Sequence, residues 1–414
     1  MRKLDNGLSE RTLAFEPGLE VDGELVCRTF QPSYVVTRAG MLIAFCQGRL
    51  RHGSDDDPKM ILTSRSADGG ATWSPAKTVS GRINHYAMSA YLSDRNGRER
   101  VSVLTMVDLR VTEDLYERDY GRMRDRTGID IDAVGRDTPM VLCRFDSDDG
   151  GDTWAAEALT GDRSPLNRRY ADGTLIMFNP IGQVHVIPEG PHRGRYIMGG
   201  PVTVVPEEET ITNHFRNHLQ SGSAVIYSDD QGDTWHAPGF ITDYLANEAS
   251  AVSINHGEDL LLVRRLNSLG MFESHAPLTE VRPGPAQRVA HTSPDCGQTW
   301  SQPFLVDISD VRCHGTLARI DHRLLFSIPN GSDLPVSERP HASERQRGAI
   351  YFSTDEGQTW RYRIVEPETF AYSTVGSLVE SQHVVLYARG AMGQDGVGCR
   401  VFDDEWLCGV PVDS

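Results

Sequence analysis

Ser66-Ala67-Asp68-Gly69-Gly70-Ala71-Thr72-Trp73 is the first of five copies of the pattern Ser-x-Asp-x-Gly-x-Thr-Trp in this chain of 414 residues. The other copies occupy residues 147–154, 228–235, 293–300 and 353–360, and each follows a short apolar run. The pattern suits a β-hairpin turn, because the Asp side chain accepts hydrogen bonds from nearby backbone N–H groups and the Gly permits a positive φ. A turn repeated at intervals of tens of residues predicts a propeller or a solenoid.

The spacing of the five copies predicts blades with insertions. A four-stranded blade needs about 40 to 50 residues, and the first two intervals between copies are clearly longer. The extra residues fall near 112–137, a stretch dense in charge, and near 206–220. Insertions of this kind usually lie on one face of a propeller, where they can shape a substrate mouth or remain a solvated surface excursion.

Strand-like runs between the turns indicate an all-β fold. Residues 33–37 and 41–45 are typical of two strands joined by a tight turn, and residues 260–263 and 383–387 read as further strands. Five copies and a strand-rich terminal segment predict a six-bladed β-propeller of four-stranded antiparallel blades, forming one domain over residues 1–414. We expect the N-terminal strand near residues 24–30 to close the last blade, because a closed ring leaves no exposed sheet edge.

Composition narrows the possible partners. A net charge of −17 and a pI near 5.3 argue against nucleic acid or an anionic membrane surface as partner. The sequence has no run of 18 apolar residues and no recognisable signal peptide, so we expect a cytoplasmic protein that does not span a membrane. Its seven cysteines are scattered, without a C-x-x-C pair or zinc-type spacing, and we predict no metal and no cofactor. Composition says nothing about the oligomeric state.

The repeats and their surroundings resemble the bacterial exo-sialidase family from about Cys27 to Leu407. The segments that carry the resemblance, besides the repeats, are residues 30–36, 42–49, 247–250, 260–267, 324–330, 345–360 and 370–373. Members of this family are six-bladed propellers that remove terminal sialic acid with retention of configuration. The resemblance implies a tyrosine nucleophile paired with a glutamate, an aspartate acid/base and three arginines that hold the sugar carboxylate.

The substrate explains these residue types. The anomeric carbon of a 2-keto acid sugar already bears a carboxylate, which would repel a carboxylate nucleophile. A phenol avoids that repulsion if a neighbouring base takes its proton, and this is a recognised exception to the two-carboxylate scheme. Arginine suits the substrate carboxylate because its planar fork donates two parallel hydrogen bonds and stays charged.

Three catalytic roles follow from the resemblance. Tyr372, in an Ala-Tyr-Ser context, matches the nucleophile, and Glu248, ahead of a predicted strand, matches its base partner. The acid/base is expected in the loop after Gly48-Arg49, where Asp55 fits by spacing and the adjoining Asp56 and Asp57 are alternatives.

The match to the three arginines is incomplete. Arg345 lies eight residues before the serine of the last repeat and matches the third arginine, while Arg265, or its neighbour Arg264, matches the second. The family's first arginine is replaced by Phe30, and Arg28 lies two residues earlier, about 7 Å away along a strand. Arg28 is therefore the candidate that could partly cover this gap and bind the substrate carboxylate; otherwise the carboxylate site is incomplete or re-aimed. The departure leaves open a related acidic sugar, another substrate or a propeller that has lost activity.

The leading hypothesis is therefore a retaining exo-glycosidase that acts on a terminal acidic sugar of a glycan. A uronate lyase on a propeller is a second possibility, since β-elimination needs a cation on the carboxylate and a base. Residues 84–86 (Asn-His-Tyr), His214 or His218 could supply that base, although each histidine is more simply an ordinary loop or strand residue. A glycan-binding propeller without catalysis is the third possibility.

Overall fold

The computed structural model describes residues 6–51, 59–83, 85–108, 140–164, 168–169, 174–205, 222–243, 246–266, 287–331, 345–379, 381–390 and 392–409. Within these ranges the regular secondary structure is nearly all β-strand, as the sequence predicts. Both predicted insertions, near 112–137 and 206–220, lie outside the described residues. The described residues include one α-helix, α1 (Asp404–Cys408), and two 3-10 turns, Gly161–Arg163 and Asn255–Gly257. None of the described helices has the length and apolar character of a membrane span.

The strands follow one another in chain order. Strands β1 to β14 are β1 (Thr12–Phe15), β2 (Glu20–Val21), β3 (Glu24–Val36), β4 (Leu42–Leu50), β5 (Lys59–Ser66), β6 (Lys77–Ile83), β7 (His85–Arg95), β8 (Arg98–Asp108), β9 (Met140–Ser147), β10 (Ala155–Leu159), β11 (Arg168–Arg169), β12 (Leu175–Phe178), β13 (Gly182–Gln183) and β14 (His185–Val186). Strands β15 to β28 are β15 (Tyr196–Val205), β16 (Gly222–Ser228), β17 (Phe240–Ile241), β18 (Ala246–Ile254), β19 (Asp259–Leu266), β20 (Gln287–Ser293), β21 (Phe304–Ser309), β22 (Thr316–Ile320), β23 (Arg323–Pro329), β24 (Gln346–Ser353), β25 (Arg361–Thr369), β26 (Ser373–Val379), β27 (Gln382–Ala388) and β28 (Val397–Asp403).

These strands form six sheets, which confirms the six-bladed β-propeller. Blades 1 to 3 have the strand orders β2-β3-β4-β5-β6, β13-β7-β8-β9-β10 and β11-β12-β15-β16-β17, with β14 beside β15. Blades 4 to 6 have the orders β18-β19-β20-β21, β22-β23-β24-β25 and β1-β28-β27-β26. Each blade has an antiparallel core of four strands, and β13 adds a short parallel strand to blade 2. Contacts of β3 with both β7 and β26 complete the ring.

The strand that completes blade 6 is β1, which corrects the expectation for residues 24–30. β1 pairs antiparallel with β28, and Thr12 lies opposite Cys399. Residues 24–30 instead begin β3, which pairs with β4 in blade 1. The prediction of a closing N-terminal strand was right in kind but wrong in position, because the apolar pattern of the short β1 is weaker than that of β3.

The five repeats form the hairpin turns that the sequence predicts. In the first copy Asp68 accepts hydrogen bonds from the backbone N–H and hydroxyl of Thr72, and Ser66 accepts one from the N–H of Gly70. Although partial burial acts in the opposite direction, these hydrogen bonds lower the pKa of Asp68 to about 2. The aspartates that accept from the corresponding threonines in the other copies are Asp149, Asp230, Asp295 and Asp355.

Repeat tryptophans connect neighbouring blades. The ring of Trp154 in blade 2 lies edge-on to Phe45 in blade 1, with 5.8 Å between ring centroids. Trp235 in blade 3 lies edge-on to Tyr91 in blade 2 at 6.0 Å. These aromatic pairs bury large apolar surfaces between neighbouring blades, whose sheets are separate from each other. The repeats therefore stabilise the ring and do not line its mouth.

The innermost antiparallel strands bring distant segments together around the axis. Hydrogen bonds cross between them, from the Ser33 hydroxyl to the carbonyl of Gly182 and from the Thr316 hydroxyl to the carbonyl of Ser373. One end of these strands carries the candidate site. At the other end a cavity of about 680 Å³ is lined by residues that include Tyr34 and His185.

Candidate active site

A tyrosine and a glutamate from distant blades form the centre of the site. The Tyr372 hydroxyl donates a hydrogen bond of 2.5 Å to Oε1 of Glu248, and both side chains are buried, with 6% and 7% exposure. Tyr372 directly precedes β26, and its carbonyl accepts a hydrogen bond from the Ala388 N–H, so the pairing of blade 6 fixes its backbone.

A local irregularity positions the glutamate. The pairing of β18 with β19 shifts register between Ala246 and Ala249, which brackets Glu248. The Asn247 side-chain oxygen accepts a hydrogen bond from the Glu248 N–H. A β-bulge changes the direction of the side chain that it carries. At this irregularity the side chain of Glu248 points towards the propeller axis.

Of two neighbouring arginines, the structure brings Arg265 to this pair. Its Nη1 donates to Oε2 of Glu248 at 2.6 Å and to the Tyr372 hydroxyl at 3.1 Å. Arg264 points into the opposite side of β19, where its guanidinium donates to both carboxylate oxygens of Asp243. Successive side chains of a strand alternate between faces, so only one of the two can reach the axis.

Arg345 lies against the other side of the phenol. It directly precedes β24, and its guanidinium carbon is 5.4 Å from the centroid of the Tyr372 ring. Its Nη2 donates to the carbonyl of Arg312 at 2.9 Å, and its Nη1 contacts the sulfur of Met392 at 3.3 Å. Arg265 and Arg345 therefore place two positive charges beside one phenol.

These surroundings determine the protonation of the pair. Burial, together with the negative charge of Glu248, raises the pKa of Tyr372 well above its ordinary value. Burial acts to raise the pKa of Glu248 as well, but the charge of Arg265 and the hydrogen bond from Tyr372 lower it below its ordinary value. At neutral pH the pair is thus a neutral phenol that donates to a carboxylate, which can take the proton when the phenol oxygen forms a bond.

On blade 1, the side chain beside Tyr372 is the aromatic ring of Phe30 and not a third guanidinium. The buried ring of Phe30 lies 4.5 Å from that of Tyr372, between centroids, and the Arg49 guanidinium lies 4.6 Å from the Phe30 ring. Arg28 is half-buried two residues earlier on β3 and lies opposite Arg49 on β4. The contact with Tyr372 from this strand is made by Phe30.

Sequence reasoning missed two buried residues near the pair. His314 lies 5.9 Å from Tyr372 between ring centroids, and Arg288 faces the Phe326 ring at 5.1 Å and donates to the carbonyl of Cys313. Arg288 could have been found as the single Lys, Arg, Asp or Glu residue of β20, directly before its apolar pair Val289-Ala290. His314 precedes β22 in a stretch with no periodic pattern, so no such signal existed.

Several predicted residues lie outside the described ranges. They are Asp55 and its alternatives Asp56 and Asp57, and the lyase candidates Asn84, His214 and His218. The lyase candidate His85 is described and is fully buried inside blade 2, where Nδ1 lies 3.4 Å from the Thr105 hydroxyl. Burial, with the nearby charge of Lys59, lowers the pKa of His85 to about 3. Among the described residues, no group of three or more His, Cys, Asp or Glu side chains is arranged to hold a metal ion.

Comparisons with known proteins agree with this architecture. The BNR/Asp-box repeat family matches residues 226–237, which include the whole of the third repeat. A sialidase from Micromonospora viridifaciens is 28% identical over 389 residues, which make up 92% of this chain and 52% of that protein. The chain thus spans about half the length of this curated relative.

Solved structures of sialidases share the fold. A Trypanosoma rangeli sialidase in complex with the inhibitor DANA superposes with a TM-score of 0.63 at 16% identity, covering 96% of this chain and 60% of that one. The intramolecular trans-sialidase from Ruminococcus gnavus gives a TM-score of 0.60 at 14% identity, covering 95% of this chain and 99% of that one. The protein is an Asp-box β-propeller that is homologous to a sialidase and shares the sialidase fold.

Proposed function

We propose that this protein is a retaining exo-glycosidase that hydrolyses a terminal 2-keto acid sugar of the sialic acid type from a glycan. The observation that carries the proposal is the constellation of Tyr372, Glu248 and Arg265, in which a buried phenol donates to a carboxylate beside a guanidinium. Homology to a sialidase supports the reaction class.

In the first step the Tyr372 oxygen bonds to the anomeric carbon while the bond from that carbon to the aglycone oxygen breaks. Glu248 takes the phenolic proton, and Asp55 donates a proton to the departing oxygen. Water then attacks the same carbon, Asp55 takes its proton, and Tyr372 leaves and regains its proton from Glu248. Two displacements at one carbon give net retention. The role of Asp55 rests on the resemblance to the family alone.

The substrate carboxylate would bind between Arg265 and Arg345. Both guanidinium groups flank Tyr372, as a carboxylate on the anomeric carbon requires. Phe30 and Met392 add an apolar wall on the side where the family has another arginine. Because two cations bind a carboxylate less strongly than three, we expect weaker affinity for sialic acid than in proteins with the complete set.

A fluorogenic sialoside tests the proposal. The wild type should release the fluorophore, and proton NMR should show that the first sugar released has the anomeric configuration of the substrate. Tyr372→Phe should abolish turnover. Fluorophore release by Tyr372→Phe at the wild-type rate would overturn the assignment of the nucleophile, and inversion of configuration would overturn the mechanism.

The two other functions are outcomes of the same assay. A wild type that leaves sialosides intact but forms an unsaturated product from uronate polymers would be a lyase. A wild type that turns over neither substrate but binds acidic glycans would be a binding propeller. Either result would contradict the proposed function.

A further inference from the structure

His314 lies under the Tyr372–Glu248 pair in a place that is built for an imidazole ring. Its ring is buried and inclined by 34° to the ring of Tyr372. Gly182, from another blade, makes room for it, since a Cβ there would lie only 2.9 Å from Nε2 of His314. Gly182 also has a φ of +84°, which other residues rarely adopt, so both the space and the backbone at this position require glycine.

The polar atoms of this ring lack protein partners. Among the described residues, neither Nδ1 nor Nε2 of His314 has a hydrogen-bond partner. The hydroxyl of Ser89, which lies opposite Gly182 in the pairing of β13 with β7, is also buried and without a partner in the described ranges. Buried polar groups that lack a protein partner are normally satisfied by ordered water, which needs two to four polar partners at one place.

The charges around His314 keep its ring neutral. Burial, with the positive charges of Arg288 and Arg265, lowers the pKa of His314 to about 4, although Glu248 acts in the opposite direction. The titratable or charged groups that face or adjoin the ring are Glu248 on β18, Arg265 on β19, Arg288 on β20, Tyr372 before β26 and the adjacent thiol of Cys313.

We propose that His314 is a positioning residue that keeps Glu248 poised to take the proton of Tyr372, acting through water held at the propeller axis by the neutral imidazole. The inference rests on the proposed function. A neutral ring can donate a hydrogen bond towards the carboxylate without adding a charge. An imidazolium would add a further positive charge beside Glu248, which already faces Arg265, and would weaken the attraction of the carboxylate for the phenolic proton.

Two substitutions separate hydrogen bonding from shape. His314→Phe keeps a planar ring without polar atoms, and His314→Gln keeps a hydrogen-bonding group that does not titrate. We expect His314→Phe to lower kcat on a fluorogenic sialoside about tenfold or more with little change in KM, because His314 acts on proton transfer. We expect His314→Gln to recover most of kcat and to have a less steep acid limb in the pH profile of kcat/KM than the wild type, because one protonation near pH 4 is removed.

His185→Gln is the matched control. His185 is a half-buried histidine of low pKa, but it hydrogen-bonds the Ser253 hydroxyl and lines the cavity at the other end of the axis. Its substitution should leave kcat and the acid limb unchanged. A His314→Phe protein that folds, as judged by thermal unfolding, and keeps the wild-type kcat and acid limb would overturn the proposal.

A titration that needs no turnover distinguishes failure of this inference from failure of the proposed function. NMR of ¹⁵N-labelled histidine should show the His314 ring neutral at pH 6 in the wild type. Its pKa should fall further in Glu248→Gln, because the carboxylate that favours the imidazolium is gone. An unchanged His314 titration in Glu248→Gln would refute the coupling even in an active enzyme. A shifted titration in a protein that hydrolyses no sialoside would support the coupling and refute only the glycosidase.

Discussion

The described residues include two hydrogen-bonded tyrosine–glutamate pairs, and one of these two faces the axis. Tyr372 donates to Glu248 at the axis, and Tyr387 donates to Glu366 between blades 5 and 6. In each pair the carboxylate lies beside guanidinium groups and the phenol ring lies 4.5 Å, between centroids, from that of a phenylalanine. Burial and the adjacent carboxylate raise the pKa of both tyrosines.

The pairs differ in what surrounds them. Tyr387 lies in β27, the second strand of blade 6, and stacks almost parallel on Phe370, while Glu366 also accepts from Arg11 and Arg400. That pair is fully enclosed and joins two blades. The axial pair has Arg345 over its phenol and lies where the inner strands converge. The same chemical groups therefore stabilise the fold in one place and can act on a substrate in the other.

The largest expected effect comes from removing each phenol oxygen. Tyr372→Phe should lower kcat/KM for a sialoside by at least about 10³-fold, because the nucleophile is lost. Tyr387→Phe should keep activity close to the wild-type value and lower the free energy of unfolding by about 2 kcal/mol, since a hydrogen bond to a buried carboxylate disappears. Kinetics and denaturant unfolding of both variants measure the two effects. Equal loss of activity in both variants would show that the axial pair is no more important for activity than the pair between blades 5 and 6.

Amides in place of the two carboxylates should give the next largest difference. Glu248→Gln should lower kcat about 10²- to 10⁴-fold, the range for loss of a general base. Glu366→Gln removes a negative partner of Arg400 and one of the two carboxylates that pair with Arg11, which keeps Glu368, and should cost about 3 kcal/mol of stability. Its activity at a temperature where it is fully folded should remain near that of the wild type, and a large fall in kcat there would contradict the distinction.

Phe30 offers a way to alter the axial pair alone. Phe30→Arg should tighten binding of an unsaturated sialic acid inhibitor about tenfold, because a charge-assisted hydrogen bond contributes about 1.5 kcal/mol or more. Phe30→Leu is the matched control and should give no such gain. Inhibition constants measure the difference. Equal affinity in Phe30→Arg and Phe30→Leu would show that the carboxylate does not bind on this side of Tyr372.

The last effect leaves activity at neutral pH nearly unchanged and concerns stability at acid pH. The pKa of His314 is about 4 in the folded chain, below the ordinary value of 6.5, so the unfolded chain binds more protons between these values. The free energy of unfolding should therefore fall as pH drops from about 6.5 to about 4. In His314→Gln the fall should be smaller by about 1 to 3 kcal/mol, since one pKa unit corresponds to about 1.4 kcal/mol. Denaturant unfolding at several pH values checks this, and an equal fall in both proteins would contradict it.

The repeats made the architecture predictable, because every copy encodes its own turn through local hydrogen bonds. The resemblance paired Tyr372 with Glu248, and the two side chains are hydrogen-bonded in the structure, while their catalytic roles stay a prediction. Strand alternation separated Arg265 from Arg264 once the structure showed which face meets the axis. The closing strand could not be located from sequence, because the pairing of Thr12 with Cys399 is a contact between distant parts of the chain. The role of His314 depends on Gly182, a neighbour from another blade that no local pattern reveals.

The pairing of β1 with β28 has a consequence for synthesis. The N–H of Val401 donates to the Ser9 hydroxyl, 392 positions away in the sequence, so the sixth sheet joins strands that are far apart along the chain. On the ribosome, β1 emerges well before its partner. The apolar side chains of Ala14 and Phe15 must therefore wait until β28 has been synthesised before the strand that pairs with β1 exists.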